Sequence, residues 1–167
     1  MDTNYYWEIF QSARESLDKS TLAKKKMESR VVFYGKDCIV LKLFKNTWAN
    51  PFEDPLTSES RIFFSVWVSE SSLKEQKLLY NIHALKLRQL KNYSIQSRKF
   101  AETFRDRIGD YVSKWENLRL DFGPQTLMEG WMNLDPENIQ DTIILLSNHF
   151  LDMAHVMDET LNQFKKA

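Results

Sequence analysis

The stretch RVVFYGKDCIVLKLFK, residues 30–45, decides the fold class of this chain. Its two arms, residues 30–34 and 38–45, are rich in β-branched and aromatic residues, which favour strands. Between the arms lies GKD, residues 35–37, whose glycine and aspartate suit a tight turn. The stretch therefore predicts a β-hairpin, from which a sheet is extended.

Helical spacing of apolar residues flanks this hairpin on both sides. Apolar residues recur at intervals of three and four over residues 5–27, which predicts a first helix. The sequence SLKE at residues 72–75 fits a capping box and opens a helix predicted to reach about Lys91. Ser94 or Ser97 is expected to cap a second helix that follows across a short turn and ends near Trp115.

The last third of the chain predicts one long helix. In DPEN, residues 135–138, the aspartate suits an N-cap, the proline a first helical position and the glutamate a first turn. Apolar residues then step by three and four from Ile139 to Phe164, which predicts a C-terminal helix with one long apolar stripe. Because such a helix is longer than a five-stranded sheet is wide, part of the stripe is expected to meet a second copy of the protein.

Two more segments complete the predicted sheet. RIFFSVWVS, residues 61–69, alternates so that both strand faces carry large apolar residues, and both are expected to be at least partly covered by helices. Residues 118–133 alternate around a Gly-Pro-Gln turn, which predicts a second hairpin. The predicted order is α-β-β-β-α-α-β-β-α. Without internal repeats or linkers, residues 1–167 are expected to form a single α+β domain with a small, mostly antiparallel sheet covered by helices.

Composition limits the class of protein. Of 167 residues, 43% are hydrophobic and only four are glycine, as in a globular domain. Cys38 is the only cysteine, which excludes a disulfide within the chain and a multi-cysteine zinc site, and nothing argues for an oxidising compartment. The N-terminus lacks the pattern of a signal peptide, and no apolar run is long enough to span a bilayer. A cytoplasmic protein without a membrane segment is expected.

Charge is balanced overall and segregated along the chain. Residues 76–109 hold eight Lys and Arg against two Asp and Glu, whereas residues 110–167 hold four against ten. The stretch from Tyr80 to Phe100 contains five cations and no carboxylate, and its aromatic residues suit base stacking. The candidate anion or nucleic-acid site therefore consists of Lys86, Arg88, Lys91, Arg98 and Lys99. The alternative is that these cations are solvated, or paired with the acids of the last third.

A candidate partner contact lies in the second predicted hairpin. Leu127, Met128, Trp131 and Met132 form a dense apolar group beside glycine and proline, and burial in the core is the alternative. Self-association is expected through this 118–133 hairpin or through the C-terminal helix.

No catalytic, metal or cofactor motif is apparent. The four glycines are isolated, so no phosphate-binding or dinucleotide fingerprint occurs. His83 is expected to be buried on its helix, and His149 and His155 are six residues apart, too far around a helix to chelate one ion together. Asp37, Lys42 and Glu129 provide the acids and lysine of a nuclease-like site, but any α+β protein offers such a trio by chance.

Three functions remain open on this sequence. The first is a non-enzymatic binding or protein-interaction domain, which the lack of an assembled catalytic set and the segregated charge favour. The second is a nucleic-acid-associated module that uses the basic 86–99 segment. The third is a small enzyme whose site is assembled from residues distant in sequence. No cofactor and no metal are predicted.

Overall fold

A computed structural model describes all 167 residues and contains one sheet of five antiparallel strands. Spatial order follows chain order, so each strand pairs with the next one along the sequence. The strands are β1 (Glu28–Tyr34), β2 (Cys38–Phe44), β3 (Arg61–Ser69), β4 (Lys77–Leu85) and β5 (Thr126–Asn133). The predicted first hairpin is confirmed: β1 and β2 pair in full register around Gly35, which has a φ of 65°. The α+β class with a mostly antiparallel sheet is therefore confirmed.

The helices are α1 (Thr3–Glu15), α2 (Lys19–Lys25), α3 (Glu70–Lys74), α4 (Ser97–Arg107) and α5 (Ile139–Gln163). The single helix predicted over residues 5–27 is wrong, because α1 ends at Glu15 and a second helix, α2, begins at Lys19. Asp18 caps α2 by accepting a hydrogen bond from the Ser20 amide. The long C-terminal helix is confirmed, although its N-cap is Asn138. Asp135 instead accepts hydrogen bonds from the Glu137 amide and the Asn138 side chain in the turn before it.

The helix predicted over residues 72–91 is wrong, and most of it is strand β4. Only the short α3 forms, with a capping box one turn earlier, between Ser69 and Ser72, and Gln76 ends it in a left-handed conformation with a φ of 56°. Leu78 and Ile82, four residues apart, share one face of a helix, but an even spacing also puts them on one face of a strand. Both are buried beside Tyr80 and Ala84, so the strand period prevails.

The second predicted hairpin forms only in part. Its second arm is β5, while the first arm pairs with β5 at one place, Arg119 opposite Glu129. The carbonyls of Phe122 and Gly123 accept hydrogen bonds from the Arg105 guanidinium of α4, so they are not available to a strand partner. The sheet therefore keeps five strands, with β4 in place of the predicted strand before β5.

The core lies on one side of the sheet. Phe64 of β3 stacks on Phe150 of α5 at 4.9 Å between ring centres, and α1 and α4 pack on α5. The buried side chains form one contiguous cluster of 40 residues, as expected for a single domain. The apolar stripe of α5 is buried in this cluster, so it is not available to a second copy of the protein. No helix combines the length and apolarity that a membrane span requires.

The other sheet face carries no helix. Phe63, Ser65 and Trp67 point to this side, opposite the side on which Phe64 and Val66 meet the helices. The expectation that helices cover both faces is therefore wrong. We call this side, which carries Phe63, Ser65 and Trp67, the open sheet face.

Candidate functional site

Strand register aligns a polar row across the whole open sheet face. One residue from each strand contributes, and each lies opposite the next across the ladder. Side chains alternate between the two faces of a sheet, so all five members point to the same side. The polar row consists of Arg30, Lys42, Ser65, Asn81 and Glu129.

Hydrogen bonds join the acidic half of the polar row. The Ser65 hydroxyl donates to Asn81 Oδ1 at 2.7 Å, and Asn81 Nδ2 donates to Glu129 Oε1 at 3.4 Å. Ser65 and Asn81 are only 3% and 4% exposed although no helix lies above them. The buried polar side chains of Ser65 and Asn81 therefore have hydrogen-bond partners, and these bonds fix the orientations of both side chains. Lys42, at the basic end of the row, has no salt bridge.

An apolar row runs beside the polar row. It also takes one residue from each strand in register: Val32, Val40, Trp67, Leu79 and Trp131. On the other side of the polar row, Phe63 lies opposite His83 with ring centres 5.2 Å apart. The open sheet face is thus striped, with a polar row between apolar and aromatic side chains.

A groove of about 450 Å³ occupies the centre of this face. It extends from the β1–β2 turn, at Tyr34 and Asp37, to Arg61 at the start of β3. Its floor includes Val40, Phe63 and residues of the polar row. Volumes of roughly 300–1,000 Å³ with mostly apolar walls and a few polar groups are typical of small-molecule sites.

Two cations flank one aromatic ring in this groove. Lys42 Nζ lies 4.2 Å and Arg61 Cζ 5.4 Å from the centre of the Phe63 ring, both at cation–π distance. The Arg61 guanidinium also donates from Nη1 to the Ser58 carbonyl, which holds it at the end of the groove. Neither cation has a salt-bridge partner. No carboxylate of the chain therefore pairs with the charge of Lys42 or Arg61.

Burial shifts the pKa of several groups in the groove. It lowers the pKa of Lys42, and the neighbouring Arg61 charge lowers it further. It also lowers the pKa of His83, so this imidazole is neutral at pH 7. Burial, aided by the Asp37 charge, raises the pKa of Cys38 to about 11. The thiol is consequently protonated at neutral pH.

The Ser65 hydroxyl and the Cys38 thiol are not activated for covalent chemistry. The Ser65 hydroxyl donates to an amide oxygen, so no base holds its proton, and a protonated Cys38 is a poor nucleophile. Lys42 and Glu129 lie three strands apart in the polar row, about 14 Å across the sheet, and do not form the predicted trio with Asp37. No group of three or more His, Cys, Asp or Glu residues is placed to hold a metal ion.

The predicted basic site lies outside the groove. Lys86 forms a salt bridge with Glu59 at 3.3 Å, whereas Arg88, Lys91, Arg98 and Lys99 are exposed and have no salt bridge. Arg98 and Lys99 belong to the first turn of α4, and Arg88 to a 3₁₀ turn after β4. The predicted pairing of these cations with the acids of the last third is thus not observed for any of these five residues.

The predicted partner contact is divided between core and surface. Leu127 and Met128 are fully buried, so they are not accessible to another molecule. Trp131 and Met132 are half-buried, and Lys77 Nζ lies 4.5 Å from the centre of the Trp131 ring. Trp131 belongs to the apolar row and so lies on the open sheet face.

Of the three histidines, His83 differs from expectation, whereas His149 and His155 lie on the predicted C-terminal helix. His83 lies on β4 in the groove and not on a helix. His149 and His155 lie on α5, where His149 packs against Trp115 and His155 Nε2 is 3.1 Å from the Tyr111 hydroxyl. The groove does not follow from the sequence patterns, because the apolar spacing over residues 77–85 predicts a helix in place of β4. The alternation of Phe63, Ser65 and Trp67 was the available signal.

Comparison with protein-family models, curated proteins and solved structures found no match to this chain.

Proposed function

We propose that this protein is a non-enzymatic binding protein that takes a small molecule in the groove of its open sheet face. The observation that carries the proposal is the groove itself, about 450 Å³ on a sheet face that no helix covers. On the opposite side of the sheet, apolar residues such as Phe64 and Val66 are buried under helices. In the groove, Val40, Phe63 and Trp67 have no helix above them, and a ligand with an apolar body can lie against them and the side chains around them.

The polar row supports binding over catalysis. Ser65, Asn81 and Glu129 are linked to each other by hydrogen bonds, which makes them a rigid wall rather than a set of reactive groups. The alternative of a small enzyme would need a nucleophile or base free to react. A protonated thiol and a serine bonded to an amide are not activated nucleophiles, and no hydrogen bond joins either of them to the neutral His83 imidazole, the base in the groove.

A neutral apolar dye tests the proposal. N-phenyl-1-naphthylamine should bind with increased fluorescence, and it should shift the NMR amide signals of β2, β3 and β4 but not those of α5. Val40→Trp fills the groove and should weaken binding at least about tenfold, equal to about 1.4 kcal/mol. Val32→Trp, on the edge strand outside the groove, is the matched control. Absence of dye binding to the folded parent protein would overturn the proposal.

Nucleic-acid binding is a second candidate. It is supported by Arg88, Lys91, Arg98 and Lys99, which are exposed and lack salt-bridge partners. Such cations attract phosphates mainly through counterion release, so the affinity should depend steeply on salt.

A cytoplasmic location and self-association are separate proposals. The free, buried thiol of Cys38 suits a reducing compartment. We place self-association at Trp131 and Met132 or at the exposed side of α5, where Leu145 is accessible, because the apolar stripe of α5 is internal. Sedimentation at micromolar concentration that gives only the 19.9 kDa species would contradict self-association.

A further inference from the structure

The groove has an excess of positive charge at one end. Lys42 and Arg61 both lie within 5.4 Å of the centre of the Phe63 ring. Of the acids on this side, Glu129 accepts a hydrogen bond from Asn81 at the far end of the polar row, and Asp37 lies in the β1–β2 turn at the opposite end of the groove. Glu28, at the start of the edge strand β1, forms no salt bridge with either cation. Two half-buried cations close to one another repel, and the chain offers no carboxylate between them.

Two hydrogen-bond donors in the walls of the groove have no partner. Arg61 Nε and Trp67 Nε1 are shielded from solvent and donate to no atom of the chain. An unsatisfied buried donor costs roughly 1–3 kcal/mol, so few remain in a folded protein without a reason. Both residues line the same groove, one at its cationic end and the other beside its apolar row. The chain itself supplies no acceptor to either nitrogen.

We infer that the groove selects a small organic anion whose flat apolar body lies on Val40, Phe63 and Trp67, with its acid group at Lys42 and Arg61. This inference rests on the proposed function, because it names the class of ligand for the same groove. Carboxylate, sulfonate and phosphate groups share the required chemistry, which is negative charge with several acceptor oxygens. The charge of the ligand removes the repulsion between the two cations.

A matched pair of dyes tests the inference. N-phenyl-1-naphthylamine is neutral, and 8-anilinonaphthalene-1-sulfonate has the same two aromatic parts and adds a sulfonate. The anionic dye should bind the parent protein about tenfold more tightly than the neutral dye, as expected for one charge-assisted contact. Lys42→Met should remove this advantage and leave the affinity for the neutral dye unchanged, because methionine keeps the apolar stem of the side chain.

Two further variants separate a site from general attraction to positive charge. Lys42→Arg keeps the cation and should keep the preference for the anionic dye. Lys99→Met removes an exposed lysine on α4, across the sheet from the groove, and should change neither affinity. Thermal melts and far-UV spectra of each variant confirm that dye binding is measured on folded protein.

The outcomes distinguish the inference from the proposed function. If both dyes bind equally well, or if Lys42→Met and Lys99→Met have the same effect, selection of anions is wrong and the binding function stands. If neither dye binds, both are wrong. If the preference is found, competition by benzoate and by phenyl phosphate, with benzamide as the neutral control, identifies whether the groove prefers a carboxylate or a phosphate.

Discussion

At the scale of single residues, Cys38 offers the most direct probe of the groove. Its pKa of about 11 compares with roughly 8.5 for a free cysteine, so its thiolate is at least about 100-fold scarcer at pH 8. A more basic thiolate is more nucleophilic, and this raises the reaction rate by about a factor of ten, which offsets part of the loss of thiolate. Because the side chain is also only 8% exposed, iodoacetamide should modify it at least about tenfold more slowly than in the unfolded chain.

Mass spectrometry measures this reaction without ambiguity, since Cys38 is the only cysteine. The rate should rise with pH up to about 11, where the thiol ionises. The same protein in guanidinium chloride provides the reference rate. Equal rates in the folded and the unfolded chain would contradict the burial of Cys38.

Gly130 is a second residue with a defined role. A Cβ at this position would lie 2.5 Å from Tyr80 Cζ and 2.7 Å from the Asn117 carbonyl oxygen, both shorter than van der Waals contact. Tyr80 cannot simply move away, because its buried hydroxyl donates to the Glu116 carbonyl at 2.6 Å. Gly130→Ala should therefore lower the free energy of unfolding by about 1–3 kcal/mol in urea titrations. Gly109→Ala, where the added methyl meets no atom within 4 Å, is the control and should not show that loss.

At the scale of elements, Arg105 joins α4 to the chain before β5. Its guanidinium donates to the carbonyls of Phe122, Gly123 and Thr126, and its Nε donates to that of Leu127. Arg105→Met should lower the free energy of unfolding by roughly 2 kcal/mol, a value reduced for the partial exposure of the guanidinium. It should also speed amide exchange at residues 121–126. Arg98→Met, an exposed arginine of the same helix, should remain within about 0.5 kcal/mol of the parent.

Element by element, sequence patterns predict most of the fold but not the register that makes the site. The hairpin of β1 and β2, the alternation of β3 and the long stripe of α5 all follow from periodicity. The segment 77–85 does not, because its apolar residues at spacings of two and four satisfy both strand and helix. Because this spacing favours a helix over residues 77–85, it predicts neither the polar row nor the groove, since both depend on the pairing of β4 with its neighbouring strands.

At the scale of the whole molecule, the packing of α1, α4 and α5 against one side of the sheet leaves the groove open on the other side. The salt bridges show how the basic and acidic blocks of the sequence are placed relative to each other. Only one salt bridge, Arg107 with Glu159, links the basic 76–109 block to the acidic 110–167 block. Lys77 and Lys86 instead pair with Glu75 and Glu59 of the first part of the chain. The two blocks therefore do not neutralise each other across an internal interface.

This charge distribution gives opposite expectations for the two candidate functions. Replacement of Arg88, Lys91 and Lys99 together by Gln removes three exposed cations that form no salt bridge. The free energy of unfolding should consequently change by no more than about 0.5 kcal/mol, and the anionic dye should bind the groove as in the parent. If the groove is the functional site, neither protein should bind DNA or RNA in anisotropy titrations at about 50 mM salt.

The nucleic-acid candidate predicts the reverse in the same titrations. The parent should bind single-stranded or duplex probes with little dependence on base sequence, and the logarithm of the affinity should fall linearly with the logarithm of salt concentration. The triple variant should then lose up to three phosphate contacts, which reduces the salt slope by up to about 2.7 on duplex DNA. Because melting of the two proteins is expected to be the same, such a loss would report on contacts with the nucleic acid and not on folding. That result would place the function on the helical side of the sheet, away from the groove.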